Sequence, residues 1–363
     1  MSEHTVVSVV GARPQFVKLG PVSKSLRELG IREFVIHTGQ HYDFSMSRSF
    51  FEELELPEPD LNLGIASPGP TRQLGEMVPA LSEALHKYQP QMVIVFGDTT
   101  STIATAIAAS YAGIPIAHVE AGMRSFVPDM PEEIARIVTD RLSQIWFTAS
   151  AAADSNLARE GLGPTDFVGD TMFDVVREIL PRLDGTAEME SRYGVKPREY
   201  VVATVHRANN TDDRQRLEGI MKGLAQLPCP VVFPVHPRTR AALDRHGLSE
   251  LLESGGIIAL DPLRYIETML LARHARRVFT DSGGLQKEAL YLGVPCTTLR
   301  DETEWVETVE SGWNVLVGAD SQRAVASLDQ EPPSKTPPEP YGDGSAGRAI
   351  ARRVLEWMEA RRA

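Results

Sequence analysis

The sequence predicts an α/β protein with two parallel-sheet domains. Short apolar segments with the length of buried strands alternate with longer segments whose apolar residues recur at helical spacing. Such alternation is typical of a parallel sheet covered by helices. The pattern runs to about residue 150 and restarts at residue 200, and a chain of 363 residues is long enough for two domains. We therefore expect the same architecture twice in one chain.

The first half of the chain supplies the first sheet. Five apolar segments are predicted as strands: TVVSVV (5–10), FVIHTG (34–39), QMVIVF (91–96), IPIAHV (114–119) and IWFTAS (145–150). Three segments between them have helical spacing: GARPQFVKLGPVSKSLRELG (11–30), TSTIATAIAASYAG (100–113) and PEEIARIVTDRLS (131–143). This order predicts repeated strand–helix–strand units.

The second half repeats the pattern. Its predicted strands are YVVATV (200–205), PVVFPV (230–235), GIIAL (256–260), RRVFT (276–280) and VPCTTL (294–299). We place the domain break near Gly169, which gives domains at residues 1–168 and 169–348. A loop rich in Pro and Gly at 331–345 precedes an amphipathic helix at 349–363. This helix can cap the second domain or return to the first, and we favour the return.

Composition and charge argue against several classes of protein. The net charge of −12 lacks the basic excess that nucleic-acid and membrane-surface proteins usually carry. Cys229 and Cys296 lie far apart without a C-x-x-C spacing, so we expect two buried free thiols in a reducing compartment. The sequence has no signal-peptide pattern and no apolar run of the ~20 residues that a membrane helix needs. We expect a cytoplasmic protein with no membrane or nucleic-acid partner.

Polar residues follow seven of the predicted strands. In open parallel sheets, ligands bind at the carboxyl ends of the strands. These ends lie at residues 11–14, 39–41, 97–100, 120–122, 206–207, 236–238 and 281–284. One or two such ends are ordinary, but seven predict a lined cleft between two domains.

The segment TDSGGLQKEA (280–289) is the strongest single indication of an anion site. A strand ends, two glycines follow and a helix begins, so backbone N–H groups near Ser282 can approach an anion at the helix N-terminus. An ordinary turn with Ser282 as the N-cap explains the same residues. Glu288 lies early in this helix, where it can accept hydrogen bonds from sugar hydroxyls or simply face solvent.

Several carboxylates lie at the predicted carboxyl edge of the first sheet. Asp98 and Glu120 end consecutive parallel strands, so we expect them to be neighbours. Glu132 and Glu133 start a helix, and Arg136 is expected on the same face as Glu132. The helix start by itself explains one of the two glutamates. Acids gathered in a cleft push each other's pKa values apart, which suits paired acid–base chemistry.

Several common catalytic motifs are absent. The first strand is not followed by G-x-G-x-x-G, and the sequence has no P-loop, no H-E-x-x-H and no G-x-S-x-G. The nine histidines are not clustered. We therefore predict no dinucleotide clamp, no P-loop NTPase and no metal site.

A set of motifs resembles the non-hydrolysing UDP-N-acetylglucosamine 2-epimerases. The motifs run from residue 6 to about residue 318 in the order and spacing of that family. They are GARPQFVK, TGQHYD, GDTTST, HVEAGMRS, MPEEIAR, HRANN, HPRTR, DSGGLQKEA and RDETEWVE. The resemblance implies two Rossmann-like domains that face a cleft in the glycosyltransferase-B arrangement, a C-terminal helix that returns to the first domain, and a homodimer.

The resemblance also implies a carbohydrate isomerase. Such enzymes invert C2 of a UDP-N-acetylhexosamine and so interconvert UDP-GlcNAc and UDP-ManNAc. UDP leaves by anti elimination to give a 2-acetamidoglucal, and UDP then adds back while a proton reaches the other face of C2. This chemistry needs an acid–base group on each face of the ring. It implies no cofactor, and its partners are the UDP-sugar and UDP.

The family's functional residues carry over onto matching positions. Asp98, Glu120 and Glu132 match the catalytic carboxylates, and His206 matches the histidine that assists UDP departure. The resemblance assigns UDP or sugar binding to Arg13, Lys18, Arg136, Ser282, Gly283, Gly284 and Glu288. The polar strand ends add His236 and Arg238.

Several positions depart from the family pattern. The departures are Asn209 where Glu is usual, Ala135 where Asn is common, TEWVE (303–307) in place of T-E-R-P-E, and Asp43 where some members have a Gln that binds a second, activating substrate molecule. GARPQF, QKEA and TEWVE together resemble the branch that acts on UDP-2,3-diacetamido-2,3-dideoxy-glucuronate. That substrate stays open, as do a glycosyltransferase of the same fold, a hydrolysing epimerase and a non-catalytic nucleotide-sugar sensor.

Overall fold

The chain divides into two units, Met1–Arg177 with Pro340–Ala363 (unit 1) and Glu178–Glu339 (unit 2). The structure is a computed structural model. It describes residues 4–40, 53, 56, 58–334 and 336–361, without the side chains of residues 13 and 186–188.

These boundaries differ from the break near Gly169 and the returning segment at 349–363 that we placed on the sequence. Asp174 gives the physical reason. Its carboxylate accepts hydrogen bonds from the backbone N–H groups of Ala346 (3.0 Å) and Gly347 (2.8 Å). These bonds hold the segment around Asp174 and the start of the C-terminal helix together in unit 1.

Unit 1 is built on a parallel sheet. Its strands are β1 (Thr5–Val10), β2 (Arg32–His37), β3 (Leu61–Asn62), β4 (Met92–Phe96), β5 (Ile116–Ala121), β6 (Ile145–Thr148) and β7 (Asp166–Phe167). Among the described residues they form one seven-stranded sheet in the order β3-β2-β1-β4-β5-β6-β7, with every pair parallel. The five strands predicted from the sequence are confirmed. The edge strands β3 and β7 have two residues each, which is too short for a recognisable apolar pattern.

Helices cover both faces of this sheet. Those described are α1 (Arg13–Glu28), α2 (Pro70–Tyr88), α3 (Thr100–Tyr111), α4 (Pro131–Leu142), α5 (Ala151–Arg159) and α6 (Thr171–Ile179). Phe16 of α1 belongs to a buried core with Ile94 and Phe96 of β4. Met77 and Leu81 of α2 belong to a second core. The sheet is therefore buried on both faces, as its nearly continuous apolar strands require.

Unit 2 repeats the architecture with a smaller sheet. Its strands are β8 (Val201–Thr204), β9 (Val231–Pro234), β10 (Ile257–Leu260), β11 (Arg277–Thr280), β12 (Cys296–Thr298) and β13 (Asn314–Leu316). They pair in the order β10-β9-β8-β11-β12-β13, all parallel. The helices are α7 (Thr186–Tyr193), α8 (Ala208–Thr211), α9 (Arg214–Ala225), α10 (Pro237–His246), α11 (Tyr265–His274), α12 (Gly283–Tyr291), α13 (Val306–Glu310) and α14 (Ser321–Ser327), with 3₁₀ turns at Leu180–Arg182 and Ser249–Glu253. The second parallel sheet is thus confirmed.

The last helix, α15 (Ala346–Ala360), packs on unit 1. Its residues Ile350 and Val354 lie in the same buried core as Phe16 of α1. The helices approach closely, because a Cβ at Gly347 would lie 2.5 Å from the carbonyl oxygen of Pro21. The predicted return to the first domain is confirmed. None of the helices in the described part of the chain has both the length and the apolar run needed to cross a bilayer.

Each sheet has a point at which the chain reverses its direction of winding. In unit 1 this switch point lies between β1 and β4, and in unit 2 it lies between β8 and β11. Open α/β sheets bind ligands beside the carboxyl ends of the strands at such points. Asp98 follows β4, and His206 and Ser282 follow β8 and β11, so these predicted site residues lie beside the two switch points.

The two cysteines differ from our expectation in one respect. Cys296 is buried in β12, and burial raises the pKa of its thiol to about 12. Cys229 is only half-buried. The expectation of two buried thiols is therefore wrong for Cys229, which lies in the turn just before β9.

Candidate active site

A buried glutamine joins the two strands at the switch point of unit 1. The Gln15 side-chain oxygen accepts hydrogen bonds from the N–H groups of Gly11 (2.8 Å) and Ala12 (3.0 Å) after β1. Its amide nitrogen donates to the carbonyl of Phe96 at the end of β4 (2.8 Å) and to the Thr102 hydroxyl (3.0 Å). Gln15 therefore fixes the start of α1 against the turn that carries Asp98. Its only signal in the sequence was its place in GARPQF.

Asp98 lies in the turn between β4 and α3 and is held by Arg136. The Arg136 guanidinium donates to one Asp98 carboxylate oxygen through Nε (2.8 Å) and through its terminal nitrogen (2.5 Å). The Asp98 side chain is 29% exposed, whereas that of Arg136 is 5% exposed. The Asp98 carboxylate is therefore partly accessible to solvent, whereas the Arg136 guanidinium that orients it is buried.

Glu120 and Lys18 form a second pair beside Asp98. Their side chains form a salt bridge, and each is less than 10% exposed. Glu120 has a left-handed backbone (φ +68°) at an irregularity in the pairing of β5 with β6. A residue other than glycine rarely adopts this conformation, and such strain is concentrated at functional sites.

Gly97 shows how closely the Lys18–Glu120 pair approaches the turn that carries Asp98. Gly97 has φ +60°, and a Cβ there would lie 3.0 Å from Lys18 Nζ and 3.3 Å from a carboxylate oxygen of Glu120. The Glu120 carboxylate therefore lies against the residue that precedes Asp98. The expectation that Asp98 and Glu120 are neighbours is consistent with this geometry.

Glu132 and Glu133 at the start of α4 have different environments. Glu132 is exposed. Glu133 is buried and accepts hydrogen bonds from the N–H groups of Ser125 (2.9 Å) and Phe126 (3.1 Å) and from Arg136 (3.0 Å). Burial alone would raise the pKa of Glu133, but these hydrogen bonds outweigh it and lower the pKa.

Arg136 forms ion pairs with two carboxylates. We expected Arg136 to share a face with Glu132, four residues earlier. It pairs with Glu133, three residues earlier, and with Asp98. Because both spacings are neighbours on a helix, the sequence could not decide between the two glutamates.

His118 and Asp140 form a buried link behind these turns, and the sequence analysis missed it. His118 Nδ1 lies 2.7 Å from Asp140 Oδ1, and His118 Nε2 lies 2.7 Å from the carbonyl oxygen of Gly97. Both side chains have no exposed surface. Arg124 lies 2.8 Å from the other Asp140 oxygen and also pairs with Glu160. Arg124, the arginine of the HVEAGMRS motif, thus forms ion pairs with Asp140 and Glu160.

The site of unit 2 contains a second His–Asp pair. Asp281 is fully buried after β11, and its carboxylate accepts hydrogen bonds from the backbone N–H groups of His206 (3.0 Å) and Arg207 (2.9 Å) and from the Asn210 amide (3.1 Å). His206 Nδ1 lies 3.4 Å from Asp281, and the His206 side chain is 37% exposed. Buried Asp281 therefore orients the imidazole from the protein side, and the rest of the ring is accessible to solvent. Asp281, in the same TDSGG motif as Ser282, was not singled out from the sequence.

His236 and Arg238 have partners within unit 2. The His236 ring lies 5.4 Å from that of His206, and His236 Nδ1 accepts a hydrogen bond from the Arg238 N–H (3.1 Å) at the start of α10. The Arg238 guanidinium donates to the Thr211 hydroxyl (2.9 Å) and to Asp212 (2.8 Å). His236 thus lies beside His206, whereas the Arg238 guanidinium is held by Thr211 and Asp212.

The turn after β11 has the features of an anion site. Ser282 is the N-cap of α12, with its hydroxyl accepting from the Leu285 N–H (3.4 Å). The ordinary N-cap role is thus present, and it leaves the first N–H groups of α12 at a positive helix end. At Gly283, a Cβ would lie 2.7 Å from a Glu304 oxygen and 3.3 Å from Trp305 Nε1.

Two more side chains of α12 are buried beneath this turn. Glu288 accepts a hydrogen bond from the Tyr265 hydroxyl (2.8 Å), so it does not simply face solvent. Lys287 has no exposed surface, and its ammonium lies 3.5 Å from the centroid of the Trp305 ring. Lys287 and Trp305 belong to QKEA and TEWVE, so these two motifs share one contact.

Some expectations cannot be placed. Arg13 is the first residue of α1, but its side chain is outside the described part of the structure, and Asp43 lies outside the described residues. Asn209 is exposed and Ala135 is buried in α4. Among the described residues, no three His, Cys, Asp or Glu side chains are grouped as a metal site would require.

The chain is similar to known proteins over nearly its whole length. The family model described as UDP-N-acetylglucosamine 2-epimerase matches residues 24–355. A Methanococcus maripaludis protein named UDP-N-acetylglucosamine 2-epimerase homolog is 45% identical over 349 residues, which cover 95% of this chain and 98% of that protein. The Pseudomonas aeruginosa UDP-2,3-diacetamido-2,3-dideoxy-D-glucuronate 2-epimerase is 42% identical over 357 residues, 95% of this chain and 98% of that protein. The crystal structure of Methanocaldococcus jannaschii UDP-GlcNAc 2-epimerase with UDP-GlcNAc and UDP matches with a TM-score of 0.90 at 37% identity, over 97% of this chain and 99% of that chain.

Proposed function

We propose that this chain, which belongs to the UDP-N-acetylglucosamine 2-epimerase family, interconverts UDP-GlcNAc and UDP-ManNAc. One observation carries the proposal: each unit presents, at the switch point of its sheet, the groups that one half of this reaction needs. Unit 1 presents the carboxylates Asp98 and Glu120, each paired with a cation. Unit 2 presents the imidazole of His206 and the N-terminus of α12.

The chemistry explains why both sets are needed. No carbonyl adjoins C2 in the sugar ring, so the C2 proton is not acidic in the ground state. Departure of UDP from C1 builds oxocarbenium character, and only then does the proton become removable. The C1–O bond breaks, its electrons leave with UDP, and the electrons of the C2–H bond form the C1–C2 double bond of 2-acetamidoglucal. Re-addition of UDP with protonation of C2 from the opposite face completes the inversion.

We assign the proton transfers to unit 1. Asp98 is the more exposed acid and is oriented by Arg136, whereas Glu120 is nearly buried and paired with Lys18. Two carboxylates in different environments suit opposite roles, one accepting and one delivering a proton. Glu132 is accessible at the start of α4 and is the third carboxylate of the proposal.

We assign UDP departure to unit 2. The N–H groups of Gly283 and Gly284, together with the Ser282 hydroxyl, bind the diphosphate at the positive end of α12. His206 donates a proton or a charge-assisted hydrogen bond to the departing phosphate. Glu288 and His236 are assigned to sugar or nucleotide contacts, together with Lys18, Arg136, Arg13 and Arg238 from the sequence analysis.

The test is turnover of UDP-GlcNAc in deuterated water, followed by NMR at C2. Appearance of UDP-ManNAc with deuterium at C2 supports the proposal, because the proton must exchange during elimination and return. Free UDP with ManNAc would indicate a hydrolysing epimerase instead. No reaction with UDP-GlcNAc and no deuterium at C2 would overturn the proposal for this substrate.

A second candidate substrate is UDP-2,3-diacetamido-2,3-dideoxy-glucuronate. It is favoured by the 42% identity to the Pseudomonas aeruginosa epimerase and by the contact between Lys287 and Trp305, which joins the two motifs of that branch beside the Ser282 turn. The mechanism is the same. Competition between the two UDP-sugars for one enzyme sample distinguishes them, since the physiological substrate has the higher kcat/KM.

We also propose a cytoplasmic homodimer that acts in cell-surface polysaccharide biosynthesis. The free thiols of Cys229 and Cys296 suit a reducing compartment. Ile134 and Ile137 of α4 are 49% and 44% exposed and are neighbours on one helix face. Sedimentation of the wild type and of Ile134→Glu tests the dimer, since a charge on this face is expected to shift the protein toward the monomer if the face is buried between copies.

A further inference from the structure

We infer that His118 and Asp140 are positioning residues that set the geometry of the two acid-bearing turns of unit 1. The inference rests on the proposed function, because it concerns how Asp98 and Glu120 are held for proton transfer. We call this pair the His118–Asp140 bridge. Neither residue is assigned a role by the motif comparison, and the mechanism above does not use them.

The bridge spans from one acid-bearing turn to the other. At one end, His118 Nε2 lies 2.7 Å from the carbonyl oxygen of Gly97, the residue before Asp98. At the other end, Asp140 Oδ2 accepts a hydrogen bond from the N–H of Gly122 (3.1 Å), two residues after Glu120. The 2.7 Å contact between His118 Nδ1 and Asp140 Oδ1 joins the two ends. One side-chain pair therefore ties together the turns after β4 and β5.

Hydrogen-bond chemistry determines how the imidazole is oriented. A carbonyl oxygen only accepts, so His118 Nε2 carries a hydrogen, and Nδ1 faces a carboxylate. Burial alone would raise the pKa of Asp140, but the neighbouring His118 and Arg124 reverse this and lower it. Asp140 is therefore held as the carboxylate that orients the His118 ring, and neither side chain has any exposed surface.

The backbone at both ends needs such support. Gly97 and Gly122 have φ values of +60° and +78°. Glu120, two residues before Gly122, has a φ of +68°. A residue other than glycine in this region is held there only by its surroundings. The turn after β5 also packs closely on α5, since a Cβ on Gly122 would lie 2.5 Å from the Ala153 carbonyl oxygen. Loss of the bridge frees the Gly97 carbonyl and the Gly122 N–H at once, and the carboxylates on these turns move with their backbone.

The experiment measures kcat for epimerisation, C2 deuterium incorporation and the Kd of UDP for wild type, His118→Phe and His118→Gln. We expect His118→Phe to lower kcat about 10²-fold, the scale of a misplacement of about 1 Å at a reacting centre. The Kd of UDP is expected to stay unchanged, because the diphosphate contacts are assigned to unit 2. His118→Gln is expected to lose less, since its amide nitrogen can still donate to Gly97 but carries no charge.

The matched control is Glu33→Gln, which alters a half-buried carboxylate of the same unit. Glu33 lies near the start of β2, away from the acid-bearing turns, and accepts hydrogen bonds from the Ser8 and Ser23 hydroxyls (both 2.5 Å). This variant is expected to lower the Tm and leave kcat unchanged. A purely structural role of the bridge would instead give the two variants the same pattern.

The outcomes separate the inference from the proposed function. If the wild type is inert toward both UDP-sugars, the proposed function fails and this inference fails with it. If the wild type turns over and folded His118→Phe has the kcat of wild type, the inference alone is overturned. If His118→Phe does not fold, His118→Gln decides: reduced kcat with unchanged UDP affinity supports the inference, and wild-type kcat overturns it.

Discussion

The two units contain the same pair of side chains, a histidine and an aspartate at the carboxyl edge of a parallel sheet, in opposite environments. In unit 1 the His118–Asp140 bridge has no exposed surface, and its second ring nitrogen contacts the Gly97 carbonyl. In unit 2, Asp281 is equally buried, but the His206 side chain is 37% exposed. The carboxylate is similar in both pairs, and the surroundings of the imidazole differ.

The difference shows what makes an imidazole a positioning group or a proton carrier. A ring whose two nitrogens both lie within hydrogen-bond distance of buried protein atoms has no nitrogen left for a substrate, so it fixes its neighbours. A ring supported on one side and exposed on the other can exchange a proton with a bound phosphate. The chain thus uses one chemical pair to hold the acids in unit 1 and to assist a leaving group in unit 2.

The largest expected effect is loss of an acid in unit 1. Asp98→Asn and Glu120→Gln are each expected to lower kcat by about 10²-fold or more, because general acid–base catalysis contributes on that scale. The Kd of UDP, measured by calorimetry, is expected to be unchanged. Near-normal turnover of both variants would break the comparison, since the His118–Asp140 bridge would then support residues with no catalytic role.

A smaller effect is expected in unit 2 from Asp281→Asn. The amide still accepts from the His206 N–H but no longer offers a negative charge to the ring. We expect kcat to fall about tenfold, equivalent to about 1.4 kcal/mol, the order of one charge-assisted hydrogen bond. Asp329→Asn is the control, because Asp329 is an 82% exposed carboxylate of the same unit that pairs with Arg276. Equal kcat for the two variants would contradict the role of Asp281.

Gly97→Ala tests the turn that receives His118. Alanine at φ +60° is strained, and its Cβ would press on Lys18 Nζ at 3.0 Å. We expect the free energy of unfolding to fall by about 1–2 kcal/mol and epimerisation to slow. Urea unfolding and steady-state kinetics measure the two effects. Gly113→Ala is the control, since Gly113 has φ +67° but no atom within 4 Å of its Cβ position, so it should lose stability without losing kcat.

The smallest effects concern two carboxylates of unit 1, half-buried Asp174 and buried Asp140, whose pKa values move in opposite directions. Burial raises the pKa of Asp174 to about 6, despite two backbone hydrogen bonds, and nearby Asp170 and Asp343 add to the shift. Asp140 has cations beside it, and its pKa is lowered. The contrast again depends on the partners and not on burial itself.

The direction in which stability changes with pH follows from the difference between folded-state and unfolded-state pKa values. A raised folded-state pKa means that the stabilising contribution of Asp174 is present below its unfolded pKa of about 3.9 and is lost as pH rises through about 6. Asp140 contributes stability above about pH 3.9 that is lost as pH falls through its lowered folded-state pKa. Asp174→Asn is therefore expected to flatten the fall in urea midpoint between pH 4 and pH 6. An unchanged slope would refute the assignment to Asp174.

Much of the fold could be predicted from the sequence because strands and helices have local patterns. The five longer strands of unit 1 and five strands of unit 2 are present at the predicted segments, and the C-terminal helix returns to unit 1. The two-residue strands β3 and β7 and the three-residue strand β13 were missed. So was α6, which spans the boundary between the two units and contacts the start of α15 through Asp174.

What the sequence determined by itself is the alternation of apolar segments and the polar residues that follow them, since both depend on neighbours along the chain. The tertiary structure decided which groups meet. It paired Lys18 with Glu120, 102 residues away, and Gln15 with Phe96, 81 residues away. It also paired Glu133 with Arg136 and joined His118 to Asp140. Parallel strands bring distant turns to one edge of a sheet, and local periodicity carries no information about which side chains then share a charge or a hydrogen.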